Sequence, residues 1–345
     1  MSQCLHLFID AAMRGILDSS RTPEAERPHM TFEIRPYPDW SWSHSRRTTF
    51  QECPRKYYYQ YYGSHNGWLA SAEEDAQTAY RLKQLASLPI ELGGAVHDAA
   101  RHSIERVRNG FPEPSFEEVH DRVRADLNNA WLQSKDRAAW ERQPNRSKMF
   151  HESYYGDGLS ESQLTRARDQ VVRCLTNLRT STSYRQALSA PAVEVRAEEF
   201  LPPIDIDVTP IYAAPDLHYR LGDGSWTISD WKTGLNEQPD WDQMAVYALF
   251  IREKHGVESV IARVEWLSSG NSEVRTISGS GIQDAYGKIA NSVQAMRGYL
   301  LDVEANQPRE KAAFPLRDDT GLCPSCSFYE LCRDEIDQRA GNGPF

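Results

Sequence analysis

The sequence predicts an α/β fold of the α+β kind, with a helical first half and a later sheet carrying its own helices, and three observations predict it. Apolar residues recur at helical spacing from Leu92 to Val107, and two Ser-x-x-Glu/Gln motifs open further helices after them. Beyond Pro191 the pattern changes to short apolar runs broken by Pro, Gly and Asp, as in strands and turns. With 345 residues, 40% of them hydrophobic, the chain can bury one large core or two ordinary ones and is expected to fold alone.

In chain order, residues 1–30 read as a weak amphipathic segment and a polar, Pro-containing stretch without chemistry, and Met30 is a candidate true start. An N-terminal extension of 1–37 is expected, ahead of one domain of 38–345. From Ser45 to Tyr62, Arg46, Arg47, Arg55 and Lys56 stand among Tyr57, Tyr58, Tyr59, Tyr61 and Tyr62, with Glu52 the only acid. Such a mixture can neutralise phosphates and stack bases. The alternative is a surface helix whose tyrosines pack on a neighbour.

Leu92, Val96, Ala99, Ala100, Ile104 and Val107 define a helix that Gly110 and Pro112 end. Ser115 with Glu118, and Ser160 with Gln163, have the form of capping boxes opening helices over about 116–134 and 161–179, so 63–190 is mainly helical. In 191–302, Val193, Val195, Ile211 and Ile228 fall in strands, 240–255 is a helix stopped by Gly256, and 257–267 and 272–278 are strands around Ser269-Gly270-Asn271. A last helix over 281–302 precedes a cysteine-rich tail. Gly281–Lys288 superficially resembles a phosphate loop, but five residues rather than four separate the glycines and Ile289 replaces Ser or Thr. A helicase motor, if there is one, is a separate protein.

The net charge of −10 argues against a broadly basic nucleic-acid surface, so local charge must carry any such partner. No stretch approaches the roughly 20 apolar residues of a membrane span, and the start lacks the form of a signal peptide. A cytoplasmic, membrane-free protein is expected, whose six cysteines are thiols and not disulfides.

The most informative stretch runs from Asp216 to Thr233 and has the form of a hairpin. If Gly222, Asp223 and Gly224 make a three-residue loop, with Gly224 left-handed, Asp216 lies opposite Asp230. Two carboxylates about 5 Å apart repel unless a positive charge lies between them, and a divalent cation would relieve them. Lys232, two residues on, shares the face of Asp230 and can orient a water or stabilise a pentavalent phosphorus. A slip of one residue would send Asp216 to the other face, and a charged, exposed hairpin is the plain alternative. His97, in a Gly93-x-x-x-His97 spacing, offers an imidazole, while Gln243 and Tyr247 share one face of a later helix.

In this order, GxxxH, Asp, Asp-x-Lys and QxxxY resemble the PD-(D/E)XK nuclease superfamily, and specifically its RecB-like branch. The resemblance implies a restriction-endonuclease-like mixed sheet flanked by helices, and hydrolysis of DNA with Mg2+ or Mn2+. It implies His97, Asp216 and Asp230 as metal ligands, Lys232 as the catalytic lysine, and Gln243 and Tyr247 as its support; no position departs from the pattern.

Cys323, Cys326 and Cys332 form C-x2-C-x5-C, with Cys53 far upstream. Four thiolates suit zinc or a cubane cluster, and a single close pair favours iron. The split resembles the iron–sulfur subgroup of RecB-like nucleases, which includes the AddB nuclease domain and a CRISPR-associated exonuclease. The resemblance spans roughly 40–335 and implies a 4Fe–4S cluster joining 44–62 to 306–335, beside a basic helix where Arg46, Arg47, Arg55, Lys56 and Tyr57 meet DNA. Single-stranded DNA or DNA ends are then the substrate, and a helicase or CRISPR adaptation proteins are candidate partners. Two rivals remain, a non-cleaving iron–sulfur DNA-binding subunit and a zinc-stabilised interaction module. Cys4 and Cys174 are ordinary thiols, Cys174 buried on its helix.

Overall fold

The computed structural model describes residues 34–189, 192–197 and 202–341, so Met30 and Cys4 lie outside the described residues, with all but the last few positions of the expected extension. A two-residue strand β1 (Trp42–Ser43) leads into α1 (His44–Glu52) and α2 (Pro54–Tyr58), which a π-helical turn, Tyr59–Gly63, continues. The tyrosine-rich segment is therefore two helices. Pro54 sits at the first position of α2, and Cys53, held extended at φ −165°, ends one helix and begins the next.

The helical half comprises α3 (Glu74–Lys83), α4 (Leu88–Arg108), α5 (Phe116–Gln133), α6 (Arg137–Arg142), α7 (His151–Tyr154), α8 (Glu161–Thr180) and α9 (Thr182–Leu188). Both expected capping boxes are formed, at Ser115–Glu118 and Ser160–Gln163. Strands β2 (Ala192–Arg196), β3 (Ile204–Ile206), β4 (Thr209–Tyr212), β5 (Leu217–Leu221) and β6 (Trp226–Lys232) follow, then α10 (Trp241–His255), β7 (Val260–Trp266), β8 (Asn271–Ile277) and α11 (Gly279–Arg297). The hairpin β9 (Leu300–Asp302) and β10 (Gln307–Pro308) leads to α12 (Tyr329–Gly341). The expected last helix stops short of 302, because Leu300–Asp302 pairs with the strand after it.

The main sheet has the order β2-β5-β6-β7-β8, with β6 and β7 parallel and the other neighbours antiparallel. Its alternating residues divide the core into two layers. Trp226, Ile228, Ala262 and Val264 pack with α10 and α11, while Leu217, Tyr219 and Trp231 pack with α4, α8 and α9. A second sheet, β1-β4-β3, brings the start of α1 against this body. Among the described residues no helix is long and apolar enough to cross a membrane.

Candidate active site and cysteine cavity

The hairpin β5–β6 fixes the site. Its loop is Gly222-Asp223-Gly224: Leu221 N–H donates to Ser225 O and Gly224 N–H to Leu221 O, each at 2.9 Å. Gly224 stands at φ +90°, which a Cβ would resist. The pairs Leu217–Ser229, His218–Ile228, Tyr219–Thr227 and Arg220–Trp226 follow, and the next step places Asp216 opposite Asp230. The one-residue slip does not occur.

Asp216 is bound twice, accepting the Trp231 backbone N–H at 2.7 Å and lying 3.1 Å from His97 Nδ1. His97 comes from α4, beyond the opposite face of the sheet, and its ring lies against Trp231 at the strand ends. From the other layer, α10 supplies Gln243 and Tyr247. Lys232 Nζ lies 2.6 Å from Asp230 Oδ2 and donates to Gln243 Oε1 at 3.2 Å, and Gln243 Nε2 donates to the Tyr247 hydroxyl at 2.9 Å. All six sequence-expected residues of this set are thereby joined in two contact chains meeting at the strand ends.

Burial and charge push the two carboxylates apart. Burial raises Asp230 above the usual carboxylate range, and Asp216 beside it adds to this against the pull of Lys232. Burial acts the same way on Asp216, but His97 and Lys232 outweigh it and hold that group low. Burial would depress His97, yet the Asp216 carboxylate keeps it above the ordinary imidazole value. His97 Nε2 is buried without a hydrogen-bond partner, while Asp230 Oδ2 has the Lys232 ammonium 2.6 Å away. An imidazole nitrogen and a carboxylate oxygen are donor types a divalent cation takes. As the side chains stand, no three His, Cys, Asp or Glu among the described residues are grouped closely enough to hold a metal ion.

Sequence reasoning missed a supporting pair. Asp240 caps α10 by accepting the Gln243 N–H at 3.0 Å, and its second oxygen meets His44 Nε2 at 2.8 Å. Burial opposes ionisation of Asp240, but the His44 hydrogen bond and charge bring its pKa down to about 2. The spacing of Asp240 and Gln243 was the available signal, since Asp three residues before Gln is a capping pattern.

The expected DNA-contact residues are largely turned inward. Arg46 is 3% exposed and Tyr57 fully buried; the guanidinium donates to the Tyr57, Tyr62 and Ser41 hydroxyls and sits over the Trp40 and Tyr61 rings. Arg55, also buried, donates to Phe314 O at 2.8 Å and to Glu335 at 2.5 Å. These three are buried and hold the fold together. Arg47 and Lys56 are partly buried and paired, with Asp242 and Glu52, each at 3.0 Å.

Cys53, Cys323, Cys326 and Cys332 line a single cavity of about 330 Å³. Burial raises the Cys323 and Cys326 thiols and lifts Cys332 to about 12. No iron–sulfur site is formed as they stand. Cys174 is fully buried on α8 and apart from this cavity.

A family model of the PD-(D/E)XK nuclease superfamily matches residues 41–333, and the chain belongs to that superfamily. No curated protein matches it. Members are generally metal-dependent, phosphodiester-cleaving nucleases that use divalent ions such as Mg2+ or Mn2+, and a nuclease of this kind acts on DNA.

Proposed function

We propose that the chain is a divalent-metal-dependent deoxyribonuclease of the RecB-like, iron–sulfur branch, acting as an exonuclease on single-stranded DNA or DNA ends. The observation that carries this is the placement of Lys232, held between the Asp230 carboxylate at 2.6 Å and the Gln243 amide at 3.2 Å, on the strand that sets Asp230 opposite Asp216.

Asp216, Asp230 and His97 would hold the cation; carboxylate oxygens suit Mg2+ and Mn2+ alike, and the imidazole suits Mn2+ better. When bound, the ion makes a water more acidic and neutralises charge on the scissile phosphate. The chain's own residues do the positioning. The Trp231 N–H fixes Asp216, and Gln243 keeps the Lys232 ammonium from collapsing fully onto Asp230. Lys232 then offers positive charge to phosphoryl oxygens as they gain negative charge. Tyr247 accepts from Gln243 Nε2 and so keeps the amide oxygen turned towards the lysine.

Cys53, Cys323, Cys326 and Cys332 are the proposed ligands of a 4Fe–4S cluster. Their convergence on one cavity and the single close pair, Cys323 and Cys326, support iron over zinc. The cluster would tie α2 to α12 alongside the Arg55–Glu335 ion pair. A separate helicase or CRISPR adaptation proteins are the partners this reading favours.

Two measurements test it. Asp230→Ala and Lys232→Ala should keep the fold and lose Mn2+-dependent cleavage of labelled DNA; metal-dependent cleavage retained by either overturns the assignment. The purified protein should contain iron and labile sulfide in equal amounts. Zinc without iron would replace the cluster by a zinc staple, and DNA binding without cleavage in the parent protein would make it a non-cleaving subunit.

A further inference from the structure

The main sheet ends differently on its two sides. At one edge β2 is broken by a shift of register between Val193 and Arg196, with Glu194 at φ +51°, and such a bulge turns an edge away from any further strand. At the other edge β8 carries no such device. All seven of its residues pair in unbroken register with β7, it contains no Pro or Gly, and among the described residues no strand lies beyond it. Its residues from Asn271 to Thr276 are all exposed, Val274 at 47%. A straight edge of this length offers a row of unpaired backbone N–H and C=O groups to another strand.

The two ends of β8 are already committed. The Asn271 amide donates to Glu237 at 2.8 Å, and Ile277 is buried in the core. The free stretch is Ser272-Glu273-Val274-Arg275-Thr276, with Val274 at its middle. Glu273 and Arg275 share the face towards α10: they pair with Val264 and Ala262 of β7, which pack on that side, and the Arg275 guanidinium lies 4.1 Å from the centre of the Trp241 ring. Ser272, Val274 and Thr276 share the other face.

Reversed, this stretch is complementary to itself. Two copies related by a two-fold axis through the sheet pair antiparallel, and the axis sets one residue against its own counterpart. With Glu273 or Arg275 on the axis, like charges face each other directly, which is destabilising. With Val274 on the axis, Val274 meets Val274, Glu273 meets Arg275 once on each side, and Ser272 meets Thr276 in the same way. Of the three central registers this one pairs every residue of the free stretch. Glu273 and Arg275 already lie 4.0 Å apart on their own strand, so the joined strands carry one row of four charges with alternating sign.

We propose that β8 is a self-association edge, on which a second copy of this chain adds its own β8 antiparallel about Val274 and makes the two main sheets continuous. No residue of β8 belongs to the site around Asp216 and Asp230, and the reversal sends the Lys232 ends of the two β6 strands to opposite ends of the joined sheet. The proposal is therefore independent of the nuclease reading. A single strand pair is at the small end of specific interfaces, so the dimer forms in the micromolar range.

Sedimentation velocity on the full chain, from about 1 to 200 µM, measures it. The weight-average mass of the parent should rise towards that of a dimer across this range. Glu273→Arg sets Arg against Arg at both pairs and Arg275→Glu sets Glu against Glu, so each alone should associate about 10-fold or more weakly than the parent. An equimolar mixture of the two should associate far more tightly than either alone, since the two cations of one copy then face the two carboxylates of the other; this recovery also shows that both variants are folded. Glu273→Arg/Arg275→Glu, which exchanges the charges within one strand, should associate like the parent. A parent that stays monomeric throughout leaves the edge to another occupant and overturns the proposal. Single variants that associate like the parent, a mixture no tighter than its components, or a double variant as weak as the single ones overturn it too.

Discussion

His218 makes the fold acid-sensitive in a window that can be worked out. It is 1% exposed on β5, neither ring nitrogen has a hydrogen-bond partner, and its ring stacks on Trp226. Burial lowers its pKa from 6.5 to about 4, with Lys254, His255 and Arg196 adding repulsion. Between those values the unfolded chain binds a proton that the folded one refuses, so stability falls as pH drops below 6.5 and the loss is complete near 4. At about 1.4 kcal/mol per pH unit the loss is about 3 kcal/mol, a large share of a typical domain's 5–15. Urea denaturation at pH 7.5, 6, 5 and 4, followed by tryptophan fluorescence, measures it. His218→Leu, which keeps an apolar side chain against Trp226, should flatten the curve across that window. If the variant's midpoint still falls as steeply as the parent's, His218 is not the group responsible.

Gln243→Leu removes one acceptor from Lys232 and should lower kcat about 10- to 100-fold with little change in KM, the size usual for groups that orient a catalytic residue; steady-state cleavage rates decide it. Tyr247→Phe leaves Gln243 Nε2 unpaired in the core and should cost about 1–3 kcal/mol in chemical denaturation together with a smaller loss of rate. Arg46→Ala empties an aromatic cage and strands the hydroxyls it serves, so a loss of about 3–5 kcal/mol is expected, with the salt dependence of DNA binding unaltered. A stable Arg46→Ala protein with weakened DNA binding would return that residue to the surface. Gly224→Ala should cost about 1–2 kcal/mol through its positive φ alone, seen as a lowered thermal midpoint.

The hairpin was legible because its determinants are local: a Gly-Asp-Gly loop sets the register, and the register alone puts Asp216 across from Asp230. The capping boxes were legible for the same reason. What local sequence does not carry is burial imposed by distant segments. Arg46 and the tyrosines after it have the composition of a nucleic-acid surface, but Trp40, the β9–β10 turn and Phe314 cover them, and Tyr62 donates to Asn306 from 244 positions away. No window of sequence contains that burial. The final helix was extended too far because the residues after Arg297 stay apolar, and their strand pairing is visible only with Gln307 and Pro308 in place.

The cysteine cavity and Lys232 are linked by one short helix. Cys53 ends α1, and at the other end of that helix His44 holds Asp240, which caps the α10 turn carrying Gln243. Arg47, one turn along α1, adds a second tie to α10 through Asp242. Displacing α1 therefore bears directly on the amide that steadies Lys232, whereas the Asp216–His97 pair is held from α4 and the sheet and should not feel it. If Cys53 ligates the proposed cluster, its loss should thus act on the lysine half of the site before the aspartate–histidine half. His44→Ala separates the two effects: it cuts the tie to Asp240 without touching a cysteine, so it should slow cleavage while leaving iron content at the parent level. An unchanged rate in His44→Ala would mean that Asp240 caps α10 adequately alone and that the two ends of α1 work independently.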